Sequence, residues 1–281
     1  MPMNRKVLNI ETGRPTSDGA GVRLNRIFGG HNPQKYDPFL MLDHFGSEEA
    51  TDYIAGFPSH PHRGFETVTY MLEGRMLHED HLGNRGLLQN GDVQWMTAAR
   101  GIIHSEMPQQ EEGRMSGFQL WVNLPAAEKM KDPSYRDISA ANIPTRTVNG
   151  TTFKLIAGEQ DVGDERLRGA VLGLSTDPLY VDVHFAPQAQ VTLQIAEGHT
   201  SLVYVYEGSV QIAGQNIRAG QLAVLSRQGV LEMQGEQHSR AIVLAGKPLN
   251  EPIVQYGPFV MNTAEEIEQA LRDYRAGRLT D

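Results

Sequence analysis

The stretch HPHRGFETVTYMLEG, residues 60–74, sets two histidines around a proline at the head of an alternating run. Strand side chains two apart project to one face, so His60 and His62 point together. If the segment is regular, Glu66, Val68, Tyr70 and Leu72 share that side. Pro61 has no N–H to give to a ladder, which places the pair at a strand start or a sheet edge. GIIHSEMP repeats the spacing with His104 and Glu106. If these segments are neighbouring strands, their ligand-type atoms converge at one barrel mouth. Three imidazoles and a carboxylate, with no thiolate, suit Fe(II), Mn(II), Ni(II), Cu(II) or Zn(II) rather than Ca or Mg. On an ion that accepts more ligands than these, open positions remain for water, dioxygen or substrate, as in a catalytic site.

The other candidates have plainer readings. A pair of histidines two apart is also a common surface motif, and it is the second pair that argues for a metal. His78 and His81 read as solvent-facing residues at a strand end, and Trp95 and Trp121 as core. His44 either makes a structural hydrogen bond or lies near the site with Asp43 orienting its ring.

The elements that must position these residues are short and rich in Val, Ile, Leu, Tyr and Thr, as in GDVQWMT, GFQLWVNL and RAIVLAG, with Gly and Pro between them. That rhythm indicates an all-β sandwich or barrel. The halves repeat: YMLEG at 70–74 precedes GDVQWM at 91–96, and YVYEG at 204–208 precedes GQLAVL at 220–225. A duplicated barrel follows. Residues 124–150 break the rhythm with charge, Pro and Ala and read as the connection. The clear helix is terminal: Thr263 and Glu266 form a capping box, Ile267, Leu271 and Tyr274 line one face, and Gly277 can stop it.

At 281 residues the chain can bury a large core in one or two domains. It contains no cysteine, so disulfides, thiolate metal sites and cysteine nucleophiles are excluded. A formal charge of −9 argues against broad binding to nucleic acid. The first residues hold no apolar run long enough for a signal peptide or a spanning helix, so a cytoplasmic protein away from the membrane is expected.

HPHRGFETVTYMLEG, GDVQWMTAARGIIHSEMP and DPFLMLDHFG closely resemble the pirin family of the cupin superfamily. The resemblance is dense over residues 35–125 and weaker beyond. It implies a bicupin of two facing β-barrels (double-stranded β-helix or jelly-roll type), with one metal, usually iron, in the N-terminal barrel held by His60, His62, His104 and Glu106. General cupins often take the carboxylate from the first motif, here Glu66, whereas pirins use the acid after the last histidine. Glu106 is therefore preferred, with Glu66 beside it as a supporting residue and alternative base. Ala99 stands where glycine is expected. The expected domains are 1–130, the metal-binding barrel, and 131–281, a degenerate barrel carrying the terminal helix. In the latter, Gln194, Ala196 and Thr200 fall opposite His60, His62 and Glu66, and Arg240 replaces the acid after His238, so no metal is expected there.

The resemblance implies quercetin 2,3-dioxygenase activity, in which the metal binds a deprotonated flavonol and dioxygen opens the central ring with loss of carbon monoxide. Glu106 is then both ligand and base, or Glu66 is the base. A rival reading makes the chain a metal-dependent binding protein acting on a transcription factor or a metabolic enzyme; cupin isomerases and sugar-binding cupins usually lack HPHRGFETV. A monomer is expected, because two barrels packed on each other satisfy themselves.

Overall fold

The structure, a computed structural model, describes residues 3–30, 32–236 and 238–281. The chain forms two compact units, each built from a seven-stranded and a four-stranded antiparallel sheet. In the first unit the large sheet runs Ser134–Ile138, Val93–Thr97, Phe65–Glu73, Met115–Asn123, Phe39–Ser47, Val22–Gly29 and Arg14–Asp18. The small sheet runs Phe57–His62, Ile102–Pro108, Met76–Asp80 and Arg85–Leu88.

The repeated words occupy matching places. Phe65–Glu73, which contains YMLE, pairs with Val93–Thr97, and Thr200–Glu207, which contains YVYE, pairs with Gln221–Leu225. The all-β duplicated architecture is thus present in both halves. Each of these strands is central because its side chains are apolar enough to be buried on both faces.

The division of the chain differs from the expected cut at 130. The first unit is Arg14–Ala140 together with Leu249–Asp281, and the second takes Ala141–Pro248 together with the segment through Gly13. Pairing and packing explain both ends. Val7–Thr12 closes the edge of the second unit's large sheet against Gln221–Leu225. The terminal helix, Ala264–Arg275, buries Ile267 and Ala270 with Phe259, Met261 and Leu279, and Ile103 of the first unit packs on that cluster. Thr263 and Glu266 form the expected capping box. Tyr274 is exposed rather than part of the buried stripe. The presumed connection also carries structure: Ser134–Ile138 pairs with Val93–Thr97, and Thr145–Val148 pairs with Thr151–Ala157. Among the described residues, no helix is long and apolar enough to cross a membrane.

The second unit encloses a continuous apolar cluster that includes Leu155, Val181, Leu193, Val203, Val210 and Met233. Its segment 195–201 is held by Arg5, 1% exposed, whose guanidinium donates to the carbonyls of Ala196 at 2.9 Å and Ser226 at 2.6 Å and to Ser201 Oγ at 3.0 Å. The carbonyls of Ile195, His199 and Gly229 accept from the same side chain. An unsatisfied buried acceptor costs about 1–3 kcal/mol. Arg5→Met is therefore expected to lower the urea midpoint of unfolding by the equivalent of at least ~3 kcal/mol; an unchanged midpoint would refute this anchoring role.

Candidate metal centre

The two histidine segments are neighbours. Phe57–His62 is the edge strand of the small sheet and pairs antiparallel with Ile102–Pro108, with His104 directly opposite His60 and Pro61 opposite Ile103. Pro61 sits where an edge strand tolerates it. Nitrogen atoms of His60, His62 and His104 lie within 4.8 Å of one another, and among the described residues this is the one cluster of ligand-type groups that could hold an ion.

The ring environments favour neutral donors. His60 Nδ1 lies 2.8 Å from the Pro58 carbonyl, so it carries the proton and leaves Nε2 as a lone pair. His60 Nε2 and His62 Nε2 are 3.1 Å apart. Two ligand nitrogens about 2.1 Å from a common ion and about a right angle apart are separated by about 3 Å, so the spacing fits adjacent ligands. His104 Nδ1 lies 2.9 Å from His78 Nε2, while His104 Nε2 is buried without a hydrogen-bond partner. Burial, reinforced by neighbouring imidazoles, pushes His62 and His104 well below the ordinary histidine range. Neutral imidazole is the ligand form.

Glu106 occupies the same cavity, but its carboxylate stands outside the mutually close set. Thr69 Oγ1 approaches Oε1 at 2.9 Å and Gln119 Nε2 donates to Oε2 at 3.1 Å. The cause of the offset is a register irregularity: His104 faces His60, but Glu106 faces Phe57.

Glu66 does not share the side of His60 and His62. The edge strand ends at His62, Arg63 and Gly64 turn the chain, with Gly64 at φ +93°, and Phe65–Glu73 begins in the other sheet. The two-residue parity is lost across that turn, and Phe65 and Thr69 are the residues that meet His62 and Glu106. Glu66 is buried off the cavity, accepting from Thr97 Oγ1 at 2.7 Å, and burial raises its pKa.

His78 is fully buried rather than solvent-facing, and it supports His104. MLHED carries no apolar–polar alternation that would place it inside; the pairing of Met76–Asp80 with Ile102–Pro108, which sets Glu106 opposite His78, does so. Gln119 also belongs to the site; an amide set between Phe118 and Leu120 in the apolar run GFQLWVNL marks it. Trp121 is not plain core: it lines the cavity, 5.3 Å from the His62 ring, whereas Trp95 is 4% exposed. Ala99, at φ +45°, adopts the left-handed conformation that explains an expected glycine there.

The cavity has a volume of about 740 Å³, within the ordinary range for small-molecule sites. Met41, Phe45, Phe57, Met76 and Trp121 supply apolar wall, and His60, His62 and Glu106 the polar one. Gln255, Gly257 and Pro258 of the terminal segment also line it. On another wall, Arg26 grips both oxygens of Asp43 at 2.9 and 2.8 Å and reaches Asp18 at 2.9 Å. Its charge is therefore matched within the wall.

The Pirin family pattern matches residues 21–122, and that of the Pirin C-terminal cupin domain matches residues 180–280. A Pseudomonas aeruginosa protein named "putative quercetin 2,3-dioxygenase" is 58% identical over 99% of both chains. Pirin of Homo sapiens is 41% identical, with 98% of this chain and 94% of that one covered. The crystal structure of a quercetin 2,3-dioxygenase from Acinetobacter baumannii superposes with a TM-score of 0.91 at 35% identity, covering 99% of each chain.

His44 lies away from the cavity wall, with its ring 4.7 Å from Phe118. Burial and then Arg114 pull its pKa down to about 4 from 6.5. The unfolded chain takes up this proton first, so the stability present above pH ~6.5 is lost as the pH falls toward ~4. The full difference is ~3 kcal/mol. Urea unfolding should show this slope, and His44→Gln should flatten it; an equal slope in both would remove His44 as the cause.

Proposed function

Since the chain belongs to the pirin family, we propose that it is a mononuclear iron-dependent dioxygenase that opens the ring of a flavonol or similar enolisable aromatic. The observation that carries the reading is a cluster of three imidazoles, two of them buried, beside a carboxylate, on the wall of a cavity with aromatic sides. A quercetinase-like role agrees with the relatives and the structural neighbour described above.

In this reading His60, His62 and His104 hold the ion, with Glu106 as fourth ligand and base. Fe(II) bound there would lower the pKa of the substrate hydroxyl and hold the resulting anion; the same donors also take Mn, Ni, Cu or Zn. Glu106 accepts the hydroxyl proton at one carboxylate oxygen. Thr69 and Gln119 keep that carboxylate aimed into the cavity. Trp121, Phe57 and Phe45 offer flat apolar surface for the rings and exclude water from them. Overall, both atoms of O2 enter the opened product and one carbon leaves as carbon monoxide. Glu66, buried off the cavity, takes no part.

The test is dioxygen uptake and carbon monoxide release with quercetin, using anaerobically Fe(II)-loaded protein beside His62→Ala. Turnover is expected in the parent and lost, with the iron, in the variant; a loaded parent that consumes no dioxygen with any flavonol sinks the proposal. Gln119→Leu should keep its iron yet lose about 10–100-fold in kcat, the usual cost of removing a residue that orients a metal-site group. Parent kcat in that variant would show that Gln119 does not aim Glu106.

A further inference from the structure

The polypeptide that ends the chain is bolted to the residue that follows His62. Arg63 is 4% exposed, although it carries a full charge. Its Nε donates to the Arg100 carbonyl, Nη1 to Asp273 Oδ2 on the terminal helix at 2.8 Å, and Nη2 to the Leu279 carbonyl at 2.9 Å. The Arg63 backbone is tied as well: its N–H donates to the Pro258 carbonyl at 3.3 Å, and its carbonyl accepts from the Val260 N–H at 3.0 Å. At Gly64 a Cβ would collide with the Val260 carbonyl oxygen, so the two backbones meet at a distance only glycine allows. Lys129, 1% exposed, clamps this crossing, with Nζ donating to the carbonyls of Gly64 at 2.6 Å and Val260 at 3.0 Å and to Asn123 Oδ1 at 2.6 Å.

The need for such bolting follows from the sheet. Phe57–His62 is an edge strand, so ladder bonds hold it on one side only. His62 is its last residue, and the chain then leaves for the other sheet. The ladder holds that end through Ile102 alone, with no strand on its other side.

We propose that Arg63 and Lys129 are positioning residues through which the terminal segment, from Pro258 to Leu279, fixes the orientation of His62 and so sets the affinity and coordination geometry of the metal centre. This rests on the reading of His60, His62 and His104 as metal ligands. The coupling spans 210 positions of sequence through the Arg63–Asp273 pair, and it acts through the orientation of a ligand rather than through contact with substrate. Outer-shell partners that orient ligands are typically worth about 10–100-fold in metal affinity.

The experiment is titration of the metal-free full chain with Co(II), following the visible d–d bands, together with urea unfolding of each variant. Arg63→Met should bind Co(II) about 10–100-fold more weakly and shift the bands. Arg63→Lys, which keeps a cation for Asp273 but loses the fork, should recover part of both. Asp273→Asn keeps a side-chain acceptor for Nη1, leaves every carbonyl bond of Arg63 in place and should weaken binding several-fold in a chain that still folds. Parent affinity and parent bands in a folded Arg63→Met overturn the proposal. Should that variant fail to fold, the same parent-like result in Asp273→Asn overturns it. A parent that binds no Co(II) overturns the metal reading and this proposal with it, whereas a binding parent with indifferent variants overturns this proposal alone.

Discussion

The antiparallel register between Phe57–His62 and Ile102–Pro108 governs the site, because it alone brings His104 opposite His60. Side chains alternate with a period of two, so a slip of one residue would send His104 to the far face and leave the edge pair without its third nitrogen. Such slips are easiest at an edge strand. The devices around this one all oppose movement: Pro61 at the open side, the Arg63 and Lys129 ties beyond His62, and the His60 ring anchored on the Pro58 carbonyl. The single irregularity in the register falls between His104 and Glu106, and it sets the carboxylate one step off the imidazole cluster.

The two units show what the same architecture does with and without polar contents. In the second, the positions matched to His60 and His62 are Gln194 and Ala196, and the interior is a closed apolar cluster. In the first, buried imidazoles, Thr69 and Glu106 adjoin an open cavity. Burying neutral histidines and a hydrogen-bonded carboxylate costs stability that an apolar filling would have gained. The hairpin of Val254–Tyr256 with Phe259–Met261 and the helix that follows add a further apolar cluster on the first unit, where that cost arises.

Much of this was legible in the sequence. The spacing of His60 with His62, the repeated YMLEG and YVYEG words and the capping box reflect local rules, and each appears where those rules put it, whereas the register irregularity after His104 sets Glu106 off the cluster. What could not be read depends on breaks in local regularity or on distant partners. The projection of Glu66 was misjudged because a turn at Arg63 and Gly64 resets strand parity. His78 and Trp121 were misjudged because burial depends on which strand lies alongside, which no window of a few residues contains. The domain boundary was misplaced because a cut drawn along the chain assumes that neighbours in sequence share a unit, and both ends here break that assumption.

That exchange of ends has a consequence for how the protein is made. Synthesis runs from the amino terminus, so Arg14–Ala140 is produced, with its histidines in place, before Leu249–Asp281. Until then Gly64 and Lys129 lack the Val260 carbonyl that they are built to meet. The opening strand, meanwhile, waits for partners more than two hundred residues downstream. Each unit is finished only by pairing between segments far apart in sequence, which is intrinsically slow. The three imidazoles thus exist in the growing chain well before the segment that braces them.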